Sequence, residues 1–110
     1  MRGGVQTVYI SGPITGSLQA GCCFKKAQEW LSNQGHTVLN PMDIPEPQDN
    51  LKNEDLWVYY MKKALALLVD ADSIYMLEGW EKSRGARMEF WIATELNIPV
   101  HYAHEDYKYV

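Results

Sequence analysis

The sequence predicts a three-layer α/β domain, with a parallel sheet of four to five strands between layers of helices. Three observations predict it. Short apolar runs rich in β-branched and aromatic residues alternate with longer amphipathic segments along the 110 residues, the pattern that builds parallel sheets through helical crossovers. The first and third runs are continuously apolar, as strands covered on both faces are. Each leads into a glycine-containing loop, at Gly12-Pro13 and Gly79, and then into a helix, which is where open sheets hold ligands. Together these features describe a Rossmann- or flavodoxin-like domain occupying residues 1–110 as one unit.

The elements follow in order. Thr7-Val8-Tyr9-Ile10-Ser11 is the first strand, and Gly12-Pro13-Ile14-Thr15-Gly16 the tight loop after it, whose glycines let backbone N–H groups approach a ligand. Thr15 or Ser17 is placed to cap the next helix. That helix runs to about Gln34, with Cys23, Ala27, Trp30 and Leu31 on one face, and Gly35 ends it in a left-handed conformation. His36 to Asn40 is the second strand. Pro41, Pro45 and Pro47 then forbid regular structure through about Asp49, and Asn40 and Asp43 stand where that loop walls the ligand edge. Asn53-Glu54-Asp55 opens a second helix, with a cap residue and two acids in its first turn. Its apolar stripe, which includes Leu56, Trp57, Tyr60, Met61, Ala64 and Leu68, is wide enough to predict contact with a second subunit. Ser73 to Leu77 is the third strand. A third helix runs from Met88 to about Leu96, Ile98 to Tyr102 is a fourth strand, and the polar tail from His104 offers a short last one.

Composition narrows the partners. The net charge is −4, with no basic block, which argues against duplex nucleic acid. No apolar run has the length of a membrane span. Cys22 and Cys23 are adjacent, so they read as reduced residues of a cytoplasmic protein. His36, His101 and His104 lack metal-ligand spacing, and neither a metal nor a cofactor is expected.

The chemistry concentrates in Gly79-Trp80-Glu81-Lys82-Ser83-Arg84-Gly85-Ala86-Arg87-Met88-Glu89. Glu89 falls in about the first turn of the third helix. Its helical neighbours are Ile92, Ala93 and Leu96, which points it at the apolar side, where an ionised group is costly unless it has a task. The plain alternative is a first-turn acid complementing the helix dipole. A buried carboxylate facing a glycine-rich anion loop suits attack on a sugar carbon through a covalent glycosyl ester. Tyr9 is placed to orient that carboxylate, or simply to fill the core. Ser83, Thr15 and the loop amides are placed to grip a phosphate, with Arg84 or Arg87 supplying charge. Gly85 adds backbone freedom, and Trp80 either stacks on a base or packs an interface.

These segments, Tyr9 to Gly16, Asp72 before a strand, and Gly79 to Glu89 followed by Ala93, resemble the nucleoside 2-deoxyribosyltransferase superfamily. Within it, the closest likeness is to a small branch of bacteria and phages, related to enzymes that hydrolyse deoxynucleoside 5′-monophosphates. The resemblance implies Glu89 as nucleophile, Tyr9 as its orienting residue, and Gly12, Pro13, Ile14, Thr15 and Gly16 as contacts to sugar and phosphate. Ser83, six positions before Glu89, implies a nucleotide rather than a nucleoside. The resemblance also implies homodimers or larger assemblies. One position departs from the family pattern: Ala64 stands where the family carries an aspartate in the second helix, and Glu78, Glu81 or Asp43 would have to substitute. Arg87 replaces a small residue.

Two functions follow as expectations. The first is an enzyme, an N-glycosidase or deoxyribosyltransferase acting on a (deoxy)nucleoside 5′-monophosphate, with substrate contacts from Asn40, Trp80, Ser83, Gly85 and Arg87 as well as the first loop. The second is a nucleotide-binding module that has lost catalysis and senses or sequesters its ligand.

Overall fold

The computed structural model describes residues 5–14 and 20–103. Its four strands are β1 (Thr7–Ser11), β2 (Thr37–Leu39), β3 (Ser73–Met76) and β4 (Val100–Tyr102). Three helices alternate with them: α1 (Ala20–Asn33), α2 (Asn53–Leu68) and α3 (Arg84–Glu95). All pairings are parallel, in the order β2-β1-β3-β4. The chain leaves β1 toward one edge, returns past it, and continues through β3 to the other edge. The order therefore switches between β1 and β3, and the crevice at their carboxyl ends is where such a sheet opens for a ligand. This is the expected flavodoxin-like arrangement with four strands. The tail proposed as a fifth strand lies outside the described residues, as do Thr15, Gly16 and Ser17.

Strand periodicity divides the core in two. Val8 and Ile10 of β1, with Tyr75 and Leu77, pack on Phe24, Ala27 and Leu31 of α1. Tyr9, with Ile74 and Met76, faces the other way, onto Ala64 and Leu68 of α2 and Ala86 and Ala93 of α3. Successive residues of a strand point to opposite faces, so β1 sends Val8 and Ile10 to one layer and Tyr9 and Ser11 toward the other. Trp30 stacks on Tyr75 at 5.8 Å between ring centroids, closing the α1 layer.

Four features differ from expectation. The buried face of α1 keeps Ala27 and Leu31 as expected, but Phe24 rather than Cys23 completes it, and Cys23 is exposed. Strands β2 and β4 are shorter than expected. Asn53 is not a cap: it is the first residue of α2, has φ +53°, and follows Lys52, which makes no side-chain capping bond. Helix α3 begins four residues earlier than Met88, because Ser83 caps it by accepting from the Ala86 amide at 3.2 Å. Glu89 consequently sits in the second turn, past the free amides that a dipole-complementing acid would serve.

Candidate active site

Glu89 is 5% exposed, between β1 and α3 at the switch point. Its carboxylate is held by two hydroxyls of the same strand. Tyr9 donates to Oε2 at 2.6 Å and Ser11 donates to Oε1 at 2.5 Å. No cation approaches it among the described hydrogen bonds and ion pairs. Burial pushes the carboxyl up to about 7, against the bonds from Ser11 and Tyr9, which pull it down. Burial, then the charge on Glu89, hold the Tyr9 phenol well above its ordinary range, so Tyr9 is a neutral donor at any physiological pH. The result is a carboxyl group with both oxygens oriented and a proton affinity poised near neutrality.

A cavity of about 520 Å³ opens on this carboxylate. Gly12 and Ile14 line it from the first loop, and Pro41, Met42, Ile44 and Glu46 from the proline-rich loop. Asn53, Leu56, Trp57, Tyr60, Met61 and Ala64 line it from α2, and Ser83, Gly85, Ala86 and Glu89 from α3 and its cap. The wall is apolar and aromatic on the α2 side, and its described charged residues are both carboxylates, Glu46 and Glu89. The glycines are sterically required to different degrees. A Cβ at Gly12 would meet Leu77 Cβ at 2.8 Å, against a neighbouring strand end, whereas one at Gly85 would meet the movable Met61 Sδ at 3.0 Å.

The structure gathers Glu89, Tyr9, Gly12, Ile14, Ser83 and Gly85 at this site, with Pro13 beside the lining residues of the first loop. It removes four other residues from the expected set. Asn40 is outside the cavity: its Oδ1 accepts from the Met42 amide at 2.9 Å and its Nδ2 donates to Gln28 at 2.7 Å, so it stiffens the loop. Trp80 packs on Phe90 with ring centroids 4.5 Å apart, and beside Tyr102 at 6.4 Å, and it is not among the residues that line the cavity. Arg87 is exposed and donates to the Glu81 carbonyl at 3.1 Å. Arg84 makes a bidentate pair with Glu54, at 2.9 and 2.8 Å, and lies 3.5 Å over the Trp57 ring. Neither arginine lines the cavity, because the early start of α3 turns both side chains outward.

Ala64 does line the cavity and is buried, so the departure from the family pattern faces Glu89's space. Glu78 and Glu81 are not among the lining residues, and Asp43 lines a separate depression with Asn40 and Lys63. Asp72 works at the opposite, amino-terminal end of the central strands, where its Oδ2 accepts from the Thr7 amide at 2.8 Å. Sequence reasoning missed Ser11, Trp57 and Glu46. Ser11 was detectable, since it lies two residues from Tyr9 on the same strand face.

Comparison with known proteins agrees with this fold. The fold matches that of a 2-deoxyribosyltransferase from Bacillus psychrosaccharolyticus, with a TM-score of 0.70 and 21% identity over 87% of this chain and 70% of that one. It also matches a conserved protein from Enterococcus faecalis V583, with a TM-score of 0.63 and 15% identity over 90% of this chain and 63% of that one. The chain thus shares the flavodoxin-like fold of this 2-deoxyribosyltransferase. It belongs to the family described as Domain of unknown function (DUF4406), which matches residues 6–102. No curated protein matches it. No described helix is long and apolar enough to cross a membrane.

Proposed function

We propose that this protein cleaves the N-glycosidic bond of a (deoxy)nucleoside 5′-monophosphate, with Glu89 as nucleophile. The observation that carries the reading is the buried Glu89 carboxyl held by Tyr9 and Ser11 at a cavity of nucleotide size. One Glu89 oxygen attacks C1′, and the bonding pair of the C1′–N bond leaves with the base. Water then attacks C1′ of the glycosyl ester and releases Glu89 as carboxylate, and the proton that the water gives up neutralises the departed base. Tyr9 and Ser11 orient the carboxylate and favour its ionised form, which is the form that attacks. With Arg84 and Arg87 turned outward, phosphate recognition falls to neutral donors: Ser83, the first-turn amides of α3, and the loop that begins at Gly12. Hydrolysis is preferred to base exchange, the protein works in the cytoplasm, and it assembles at least as a homodimer.

The test is base release from a panel of ribo- and deoxyribonucleoside 5′-monophosphates, with Glu89→Gln as the control. Free base from wild type and none from the variant is the expected result. Equal turnover by the two proteins rejects Glu89 as nucleophile. One observation favours a second reading, a nucleotide-binding module without turnover: Ala64 on the cavity wall supplies no acid to the departing base. That reading expects a nucleotide-dependent rise in melting temperature with no product.

A further inference from the structure

The cavity has one charged group that the mechanism above leaves without a task. Glu46 lines the proline-rich side of the cavity, facing the space that Glu89 closes from α3. It is flanked by Pro45 and Pro47, which fix φ on both sides of it. The segment is also pinned to α2, because the Tyr59 hydroxyl donates to the Pro45 carbonyl at 3.0 Å, and Ile44 packs against the core beneath the sheet. Among the described residues no hydrogen bond or ion pair engages the Glu46 carboxylate. Two cations of the neighbouring helices are engaged elsewhere, Arg84 with Glu54 and Trp57, and Lys63 with the Tyr59 ring at 5.6 Å. Glu46 is solvent-exposed and lines the cavity, an acceptor-only group held on a stiff loop beside a wall that is mostly apolar and aromatic.

We infer that Glu46 reads the base of the bound nucleotide, selecting bases that carry an exocyclic amine. The inference rests on the cavity being a nucleotide site. A carboxylate accepts from the amino group of cytosine, adenine or guanine, whereas the carbonyl edge of uracil or hypoxanthine presents oxygen to oxygen. With the sugar's C1′ at Glu89, the base extends along Trp57 and Tyr60 toward the proline-rich loop, which puts its outer edge at Glu46. The aromatic wall accepts any base, so discrimination has to come from a polar group, and Glu46 is the charged acceptor that the lining offers besides Glu89.

The experiment uses pairs of substrates of one shape, deoxycytidine against deoxyuridine monophosphate and deoxyadenosine against deoxyinosine monophosphate. Each is titrated calorimetrically into Glu89→Gln protein, with and without Glu46→Ala, so that binding is read without turnover. The expected result is about tenfold tighter binding of the amino member of each pair. Glu46→Ala should lower that ratio to near one by weakening the amino member alone, and Glu46→Gln, which can both donate and accept, should also flatten it. Equal affinities within each pair, or a ratio that survives Glu46→Ala, overturn the inference. Nucleotide turnover that persists in Glu89→Gln removes the nucleophile assignment while leaving the ratio to judge Glu46. Absence of binding by every nucleotide overturns both.

Discussion

The Tyr9 hydroxyl meets Glu89 Oε2 at 2.6 Å across 80 positions of sequence, and together with the Ser11 bond to Oε1 it ties the first strand to the third helix at the cavity. The bond has a direction. Tyr9 stays protonated and donates, and Glu89 accepts best when ionised. Tyr9 therefore lowers the proton affinity of a carboxyl that burial has raised to about 7. Replacing it with phenylalanine keeps the ring and removes the donor. In Tyr9→Phe the Glu89 pKa should rise further above 7, moving the acidic limb of the kcat/KM profile to higher pH. Turnover at pH 7 should fall about 10- to 100-fold with little change in KM. A pH profile of base release checks this. An unmoved limb would mean that Tyr9 is core packing alone.

Burial of Glu89 also carries a stability cost whose sign can be worked out. Its folded-state pKa of about 7 lies above its ordinary 4.5, so between those values the folded protein keeps a proton that the unfolded chain gives up. The stability contributed by this linkage is fully present below about pH 4.5 and is lost as the pH rises through about 7. The span corresponds to on the order of 3 kcal/mol. Glu89→Gln cannot ionise and should escape the loss. Thermal melts should show the variant more stable than wild type at pH 8, with the advantage shrinking to nothing near pH 5. An advantage independent of pH would show that ionisation of Glu89 is not its source.

Sequence alone indicated the sheet and the buried Glu89, because each follows from a short-range pattern, whereas for Tyr9 it left orienting Glu89 and filling the core side by side, and only the family resemblance implied the pairing. Strand runs announce themselves by composition, and Glu89 among apolar helical neighbours announces its burial. The residues that sequence reasoning misplaced depend on rotation and on long-range packing. Four residues of extra helix before Met88 sufficed to turn Arg84 and Arg87 outward. Trp80 and Trp57 are indistinguishable as letters, and only the assembled fold shows which of them reaches the cavity. Glu46 lies in a stretch without periodicity, where no pattern indicates which way a side chain faces.

That distinction between the two tryptophans gives a paired prediction. Trp80 is half-buried against Phe90 and Tyr102, so Trp80→Ala should cost about 2 kcal/mol of stability and leave nucleotide affinity within twofold of wild type. Trp57 lines the cavity beneath the Arg84 guanidinium, and Trp57→Ala should weaken nucleotide binding by at least tenfold with a smaller loss of stability. Calorimetric affinities and denaturant midpoints of the two variants decide it. Reversed effects would return base stacking to Trp80.

Ala64 permits a gain rather than a loss. It is 4% exposed and lines the same cavity as Glu89, so Ala64→Asp places a second carboxyl in that space. Two effects oppose each other. An added negative charge near Glu89 disfavours its ionisation, which moves the acidic limb of activity to higher pH. An added acid can also protonate the departing base, a contribution that usually outweighs a modest pKa shift, at about 100-fold or more. Partial burial of a new carboxyl should lower the melting temperature by several degrees, because it arrives without a cation. The expected outcome is a less stable protein whose base release above pH 7.5 exceeds that of wild type by at least tenfold. Base-release rates and melting curves of the two proteins, compared from pH 6 to 9, check it. Loss of stability without any gain in turnover would show that the cavity holds its ligand in a pose where an acid on α2 does not reach the base, and would favour the binding-module reading.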